Sequence, residues 1–225
     1  LPRPTQIVLE PRKSPVQARS AASVEAILQA TIQVLLSVGK DRLTTTRVAA
    51  RAGVSVGTLY QYFPNKSALL QAALKEHLDQ VSVAVERVCR EQAGNPLRQM
   101  ATALINTFLE AKMKDPKSSV ALYQVSSDLD AARIARQKNA TINKAILTML
   151  ESTCDPLSRD PPLVAFMLQS AMVGASRSLL ESPNPEKRVP ALRQELVFFA
   201  CSYLEACTAQ NPIQPAHPAT VSLSS

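Results

Sequence analysis

Four pairs in which proline directly follows asparagine or aspartate punctuate this chain: Asn95-Pro96, Asp115-Pro116, Asp160-Pro161 and Asn184-Pro185. An Asx side chain can accept the free N–H groups of a first helical turn. Proline at the next position lacks the N–H that would be orphaned there. Each pair is therefore expected to open a helix, whereas Asp155-Pro156 falls in the turn before Asp160. Between such marks apolar residues repeat at helical spacing. Ile27, Leu28, Thr31, Val34, Leu35 and Val38 make one stripe, and Gly39 supplies a stop. Nine helices are predicted, over about residues 18–38, 45–52, 55–62, 65–92, 96–112, 116–125, 129–151, 161–181 and 189–208. Five glycines, 4% aromatic residues and no Trp leave little for β-turns and strands. The expected fold class is all-α.

With 46% hydrophobic and 19% charged residues, 225 residues can bury a sizeable core. No window of eighteen residues reads as predominantly apolar, so no membrane span is expected. Residues 1–15 hold four prolines and no apolar run, unlike a secretory signal. They read as a disordered N-terminal arm, and 211–225 as a disordered Pro-rich tail. Cys89, Cys154, Cys201 and Cys207 form no CxxC pair and read as structural thiols of a reducing cytoplasm. His77 and His217 are the only histidines, one lone on a helix and one in the tail, so no metal site is expected. Walker, GxGxxG, HExxH and GxSxG motifs are missing, and no His neighbours a plausible Ser or Cys nucleophile. Neither an enzyme nor a cofactor is expected. A helical enzyme or lipid carrier is the least favoured reading.

Charge is concentrated at one end. Residues 1–70 carry nine Lys or Arg (Arg3, Arg12, Lys13, Arg19, Lys40, Arg42, Arg47, Arg51, Lys66) against Glu10, Glu25 and Asp41. The remainder is nearly neutral, with sixteen bases against fifteen acids. Such asymmetry suits a polyanion bound at one end, although an ordinary solvated basic face would look the same.

The segment LTTTRVAARAGVSVGTLYQYFPNKSALLQAAL, residues 43–74, decides between them. Thr45 is expected to cap one short helix, in which Val48, Ala49 and Ala52 share a face. Gly53 then makes a tight turn, and Ser55 caps a second short helix. In that helix Leu59 and Phe63 point to a core. Gly57, Thr58 and Gln61 point away, with Tyr60 and Tyr62 at the edges. This outer face is uncharged, where a face built for solubility would carry Glu and Lys. Together they make a helix-turn-helix with a recognition helix. Gln61 and Thr58 can hydrogen-bond base edges, and Val56 and the Thr58 methyl can touch thymine methyls. Gly57 removes a side chain so that the helix can lie close to the groove floor. Thr45, Tyr60, Tyr62 and Lys66 suit phosphates, helped by the helix N-terminus at Asn65-Lys66, and Arg19 could reach the flanking backbone. Arg47 and Ser55 complete the candidate DNA-binding set. For the tyrosines, packing within a small three-helix domain is the other use.

The run TTxxVAxxAGVSxGTLYxYFxNKxxLL, preceded by a helix, resembles the DNA-binding domain of the TetR family of bacterial transcriptional regulators. The resemblance covers about residues 18–74. It implies Thr45, Tyr60, Tyr62 and Lys66 on phosphates, and Thr46, Val56, Gly57, Thr58 and Gln61 nearest the bases. Thr46 stands where several relatives carry arginine or another long polar side chain, so base readout from the first short helix is expected to be weak. The resemblance also implies a ligand-binding domain of the fifth to seventh predicted helices with part of the eighth, and dimerisation through the last two.

The remaining residues agree on their own terms. Residues 163–176 carry no charge and are apolar nearly all round, so the eighth predicted helix must be buried on more than one side. Ala171, Gly174, Ala175 and Ser178 offer small side chains for a close crossing. In the ninth, Leu192, Leu196, Phe199 and Tyr203 make one stripe, and Val197, Cys201 and Leu204 another. One face can serve the subunit and the other, with Leu192, Leu196, Phe199 and Tyr203 beside the small residues of the eighth helix, a twofold partner; a self-contained monomeric core is the alternative. Phe108, Met113, Tyr123, Phe166 and Met167, with Asn106, Gln124 and Gln169, could line a cavity for an apolar effector, or be plain core or surface. No cluster of charge marks that effector.

The expected protein is a cytoplasmic homodimeric regulator, a repressor released from a palindromic double-stranded DNA operator by an apolar small molecule. Its expected domains are residues 16–64 for DNA and 65–210 for effector and dimer. The alternative is a DNA-binding architectural or scaffold protein of the same fold with no effector.

Overall fold

A computed structural model describes residues 15–125 and 129–208. Among them nine α-helices form, and no strand: α1 Pro15–Arg42, α2 Thr45–Ala52, α3 Val56–Tyr62, α4 Lys66–Glu91, α5 Leu97–Met113, α6 Pro116–Val125, α7 Leu129–Glu151, α8 Pro161–Leu180 and α9 Pro185–Ala206. The backbone clusters into two compact units that divide between Ala73 and Leu74, inside α4. The expected domain boundary lay at the start of that helix. The proposed tail falls outside the described residues, as does the arm apart from Pro15, which opens α1.

In the first unit α1 packs on α2, and α2 on α3. The stripe of α1 is buried through Ile27, Leu28, Thr31, Val34 and Leu35. Thr31 is tolerated there because its hydroxyl donates to the Ile27 carbonyl at 2.7 Å. Gly39 leaves helical geometry with φ 76°, as its stop role requires, and a further short turn carries α1 to Arg42. The cap of α2 is Thr44, not Thr45: its hydroxyl accepts the Arg47 N–H at 3.3 Å. Three consecutive threonines offer the same chemistry, and extended backbone at Thr44 selects it. Gly53, at φ 69°, ends α2 in the left-handed region, and the Val54 N–H returns to the Ala49 carbonyl.

In the second unit α5 is the central helix, packed most extensively on α9 and also against α6, α7 and α8. Its inward residues Leu97, Met100, Ala101, Leu104, Ile105, Phe108 and Leu109 are buried. The Asx-Pro pairs mark helix starts well but cap poorly. Asp115 alone does both, accepting the Ser118 N–H at 3.1 Å. Asn95 does not cap α5; Asp155, far along the chain, accepts the Leu97 N–H at 2.8 Å. Asp160 and Asn184 make no side-chain cap, and Asn184 sits at φ 51°, off the extended backbone that capping needs. The last helix begins at Pro185 rather than Val189, with Pro190 inside it. Pro190 lies in the second turn, close enough to the start that the helix absorbs the loss of one N–H.

Two expectations about apolar helices change. Ser20–Arg42 and α8 are both long and apolar enough to cross a membrane by length and composition, contrary to the reading that no such window exists. Part of each is buried within the protein, 33% and 44% of the apolar window. Within the chain α8 is buried on one side only: Val164, Ala165, Leu168, Gln169 and Met172 are inside, while Leu163, Phe166 and Met167 are exposed.

Candidate nucleic-acid interface

Helix α3, the expected recognition helix, is built by its own cap. Ser55 Oγ accepts the Thr58 N–H at 2.9 Å and pairs with Thr58 Oγ1 at 2.8 Å. Leu59 is fully buried and Phe63 nearly so, which locks the helix by its apolar side. The opposite side carries Val56, Gly57 and Gln61 in the open, Tyr60 49% exposed, and Thr58 and Tyr62 half-buried. A Cβ added at Gly57 would meet only Ser55 Oγ, at an ordinary 3.7 Å. Nothing inside the protein requires a glycine there, so the missing side chain keeps outer space clear.

Around this face the polar groups hold one another in place. Thr45 Oγ1 and Tyr60 Oη lie 3.1 Å apart, joining the start of α2 to α3. Lys66 Nζ donates to the Asp41 carbonyl at 3.3 Å, which fixes the base at the start of α4 beside the turn before α2. Arg47 Nη1 donates to the Arg42 carbonyl at 3.0 Å, and Arg51 Nε to Gln33 Oε1 at 2.7 Å. Thr46 is exposed. These long-range partners are what sequence reasoning missed, since spacing along the chain signals none of them. Arg19 lies in α1, but its side chain falls outside the described residues.

The effector candidates divide between core and surface. Phe108 is buried at 3% exposure, whereas Phe166 and Met167 are 57% and 45% exposed. Met113 is half-buried. Gln169 is buried and donates to the Asn139 carbonyl at 2.7 Å, and Asn106 accepts from Arg193 at 3.4 Å. The side chains of Tyr123 and Gln124 fall outside the described residues.

His77 meets partners from beyond its own helix. Its Nε2 lies 3.3 Å from Ser119 Oγ, and Lys112 and Asp115 are near enough for their charges to act on it. Burial pushes the imidazole down to about 4, aided by the Lys112 charge and opposed by Asp115. His217 lies outside the described residues. Among the described residues no group of three His, Cys, Asp or Glu could hold a metal.

Of the small residues expected at a crossing, Gly174 and Ser178 are exposed and Ala171 and Ala175 half-buried. On α9 one residue of the stripe expected to face a twofold partner, Leu196, is instead buried within its own chain beside Cys201 and Leu204, because the helix turns that position onto α5; Leu192 and Tyr203 are half-buried, and Phe199 is 45% exposed. Phe199 and Tyr203 stack with ring planes 3° apart and centroids 6.1 Å apart. Phe198, 70% exposed, lies outside both predicted stripes and extends the apolar outer surface of α9.

Comparison with known proteins adds a second line. Residues 27–73 match the family of bacterial regulatory proteins named tetR, and residues 96–204 match the tetracyclin repressor-like C-terminal domain. The nucleoid occlusion factor SlmA of Photobacterium profundum is 35% identical over 88 residues, 38% of this chain and 45% of that one. The HTH-type transcriptional regulator BetI of Vibrio atlanticus is 28% identical over 186 residues, 78% of this chain and 92% of the relative. For the first relatives the match spans about half of their length. A crystallised transcriptional regulator from Rhodococcus superposes with a TM-score of 0.66 at 20% identity, covering 84% of this chain and all of that one. The SmeT–triclosan complex does so with 0.63 at 22%, covering 87% and 96%. These structures share the fold. With both halves matched by family models, and a capped helix-turn-helix whose outer face is uncharged, the chain belongs to the TetR family of bacterial transcriptional regulators.

Proposed function

We propose that this regulator acts as a homodimeric repressor, released from a palindromic operator by a small molecule with an apolar body. One observation carries the DNA reading: an exposed, uncharged face of α3 flanked by positioned hydroxyls and bases. Val56, Gly57, Thr58 and Gln61, with Thr46 beside them, meet bases; Thr45, Tyr60, Tyr62, Lys66, Arg47 and Arg19 serve the backbone. Two copies of α3 in successive major grooves, about 34–36 Å apart, would read the two half-sites. Dimerisation is supported by the apolar outer surfaces of α8 and α9, where Leu163, Phe166, Met167, Phe198 and Phe199 are all exposed in the single chain. A crystallised relative holding triclosan supports an apolar ligand. The ligand would act by preferring one of two states of the second unit, and release is set by that preference rather than by tightness. A protein with this task works beside the chromosome, in the cytoplasm.

The test is selection of bound duplexes from a random pool, followed by titration at several salt concentrations. A palindrome with half-sites one helical turn apart is expected; sequence-independent binding alone would refute the reading. A second reading, an architectural DNA-binding protein without effector, is favoured by the likeness to a nucleoid occlusion factor. A thermal-shift screen of apolar compounds separates the two: a hit that also weakens operator binding excludes the architectural role.

A further inference from the structure

Side-chain chemistry in a major groove sorts by base. Arginine or lysine takes guanine, aspartate or glutamate takes cytosine, asparagine or glutamine takes adenine, and small apolar groups mark thymine by its methyl. Helix α3, with the sequence VGTLYQY, contains no charged residue. The charged means of reading G·C pairs are therefore missing from it. The arginines of α2 are turned to α1: Arg47 Nη1 donates to the Arg42 carbonyl and Arg51 Nε to Gln33 Oε1.

Bonds within the fold narrow the uncharged groups further. Ser55 Oγ accepts the Thr58 N–H at 2.9 Å and lies 2.8 Å from Thr58 Oγ1, so the Thr58 hydroxyl is turned back onto the cap. Both branches of a threonine share one rotor, and pinning the hydroxyl pins the methyl. A hydroxyl swung to a base edge would surrender that pairing, whereas a methyl contact gives up no hydrogen bond. Tyr60 Oη is engaged likewise, 3.1 Å from Thr45 Oγ1. What this face offers to bases is then one exposed carboxamide, Gln61, and two apolar groups, the exposed Val56 side chain and the Thr58 methyl. The apolar groups are short, and open space at Gly57 lets the helix come close enough for them to touch the groove floor.

We infer that α3 reads A·T pairs, through the C5 methyls of thymines at Val56 and Thr58 and the edge of an adenine at Gln61. The inference rests on the reading of α3 as the helix that meets bases, and it names the base chemistry that helix selects.

The assay uses the full chain, its selected operator, and the same duplex with single thymines replaced by deoxyuridine, which removes only the C5 methyl. Burying one methyl is worth about fourfold in affinity, so one or two thymines in each half-site should lose about that factor when replaced. Thr58→Ser keeps the hydroxyl and drops the methyl, and should abolish the effect at one of those thymines. Thr58→Val keeps the methyl and drops the hydroxyl, and should preserve it. Gln61→Ala should relax the preference at an A·T pair. Deoxyuridine without effect at every position overturns the inference, as does a serine variant that keeps the discrimination while the valine variant loses it. So does a half-site in which the pairs sensitive to changes at Thr58 and Gln61 are G·C. In each of these cases the operator reading still stands; sequence-independent binding would remove both.

Discussion

Replacing Gly57 by alanine sets stability and DNA binding against each other. Gly57 is the second residue of α3, and an added methyl would find only Ser55 Oγ at 3.7 Å, an ordinary contact. In the free protein the change therefore costs no packing and removes backbone entropy from the unfolded chain. Stability should rise by about 0.4–1 kcal/mol, which is roughly 1–4 °C in melting temperature for a chain of this size. On DNA the same methyl occupies space that the proposal assigns to the groove floor. Losing one close base contact costs about 1–3 kcal/mol, or roughly 5- to 150-fold in affinity. Differential scanning fluorimetry and fluorescence anisotropy on the selected operator read the two effects. A variant that melts lower would show that the glycine answers an internal need. One that binds operator as tightly as the parent would show that α3 does not approach the bases along this face.

Three further outcomes follow from the same geometry. Lys66→Ala should reduce the slope of log affinity against log salt by about one unit on any sequence, whereas Gln61→Ala should relax base preference with little change in slope; identical behaviour would mean the contacts are missorted. Phe198→Asp on the exposed face of α9 should convert the proposed dimer to monomer in sedimentation velocity without loss of helicity, and an unchanged sedimentation coefficient would remove that face from the proposed interface. His77, pushed down to about 4 in the fold against about 6.5 when unfolded, stays neutral while the unfolded chain takes up a proton. Its contribution is therefore complete above about pH 6.5 and lost as pH falls toward 4. Urea midpoints of the parent should drop over that window more steeply than those of His77→Gln; parallel curves would refute the assignment.

The recognition helix was legible because its signals are local. Ser55, Gly53 and the Leu59–Phe63 stripe lie within one turn of what they control, and each behaves as its chemistry dictates. Thr44 and Thr45 mark the limit of that logic: two identical side chains compete, and backbone conformation chooses between them. Asn95 shows the second limit. A plausible local cap was displaced by Asp155, a residue 58 positions away from the N–H it accepts. The His77 cluster is a third case, since Lys112, Asp115 and Ser119 come to it from another part of the chain. Sequence periodicity identified α8 as unusually apolar, yet could not say that one side would remain uncovered within a single chain.

The pairing of α5 with α9 also sets an order of events during synthesis. Arg98 and Glu205, which bridge the two helices, are separated by 107 residues. At ribosomal speeds, about 5–20 residues per second, α5 emerges roughly 5–20 s before the helix that covers it. The contacts of α1, α2 and α3 close within the first stretch of nascent chain, so the DNA-reading unit is expected to be protease-resistant on stalled ribosomes while its neighbour is still being digested.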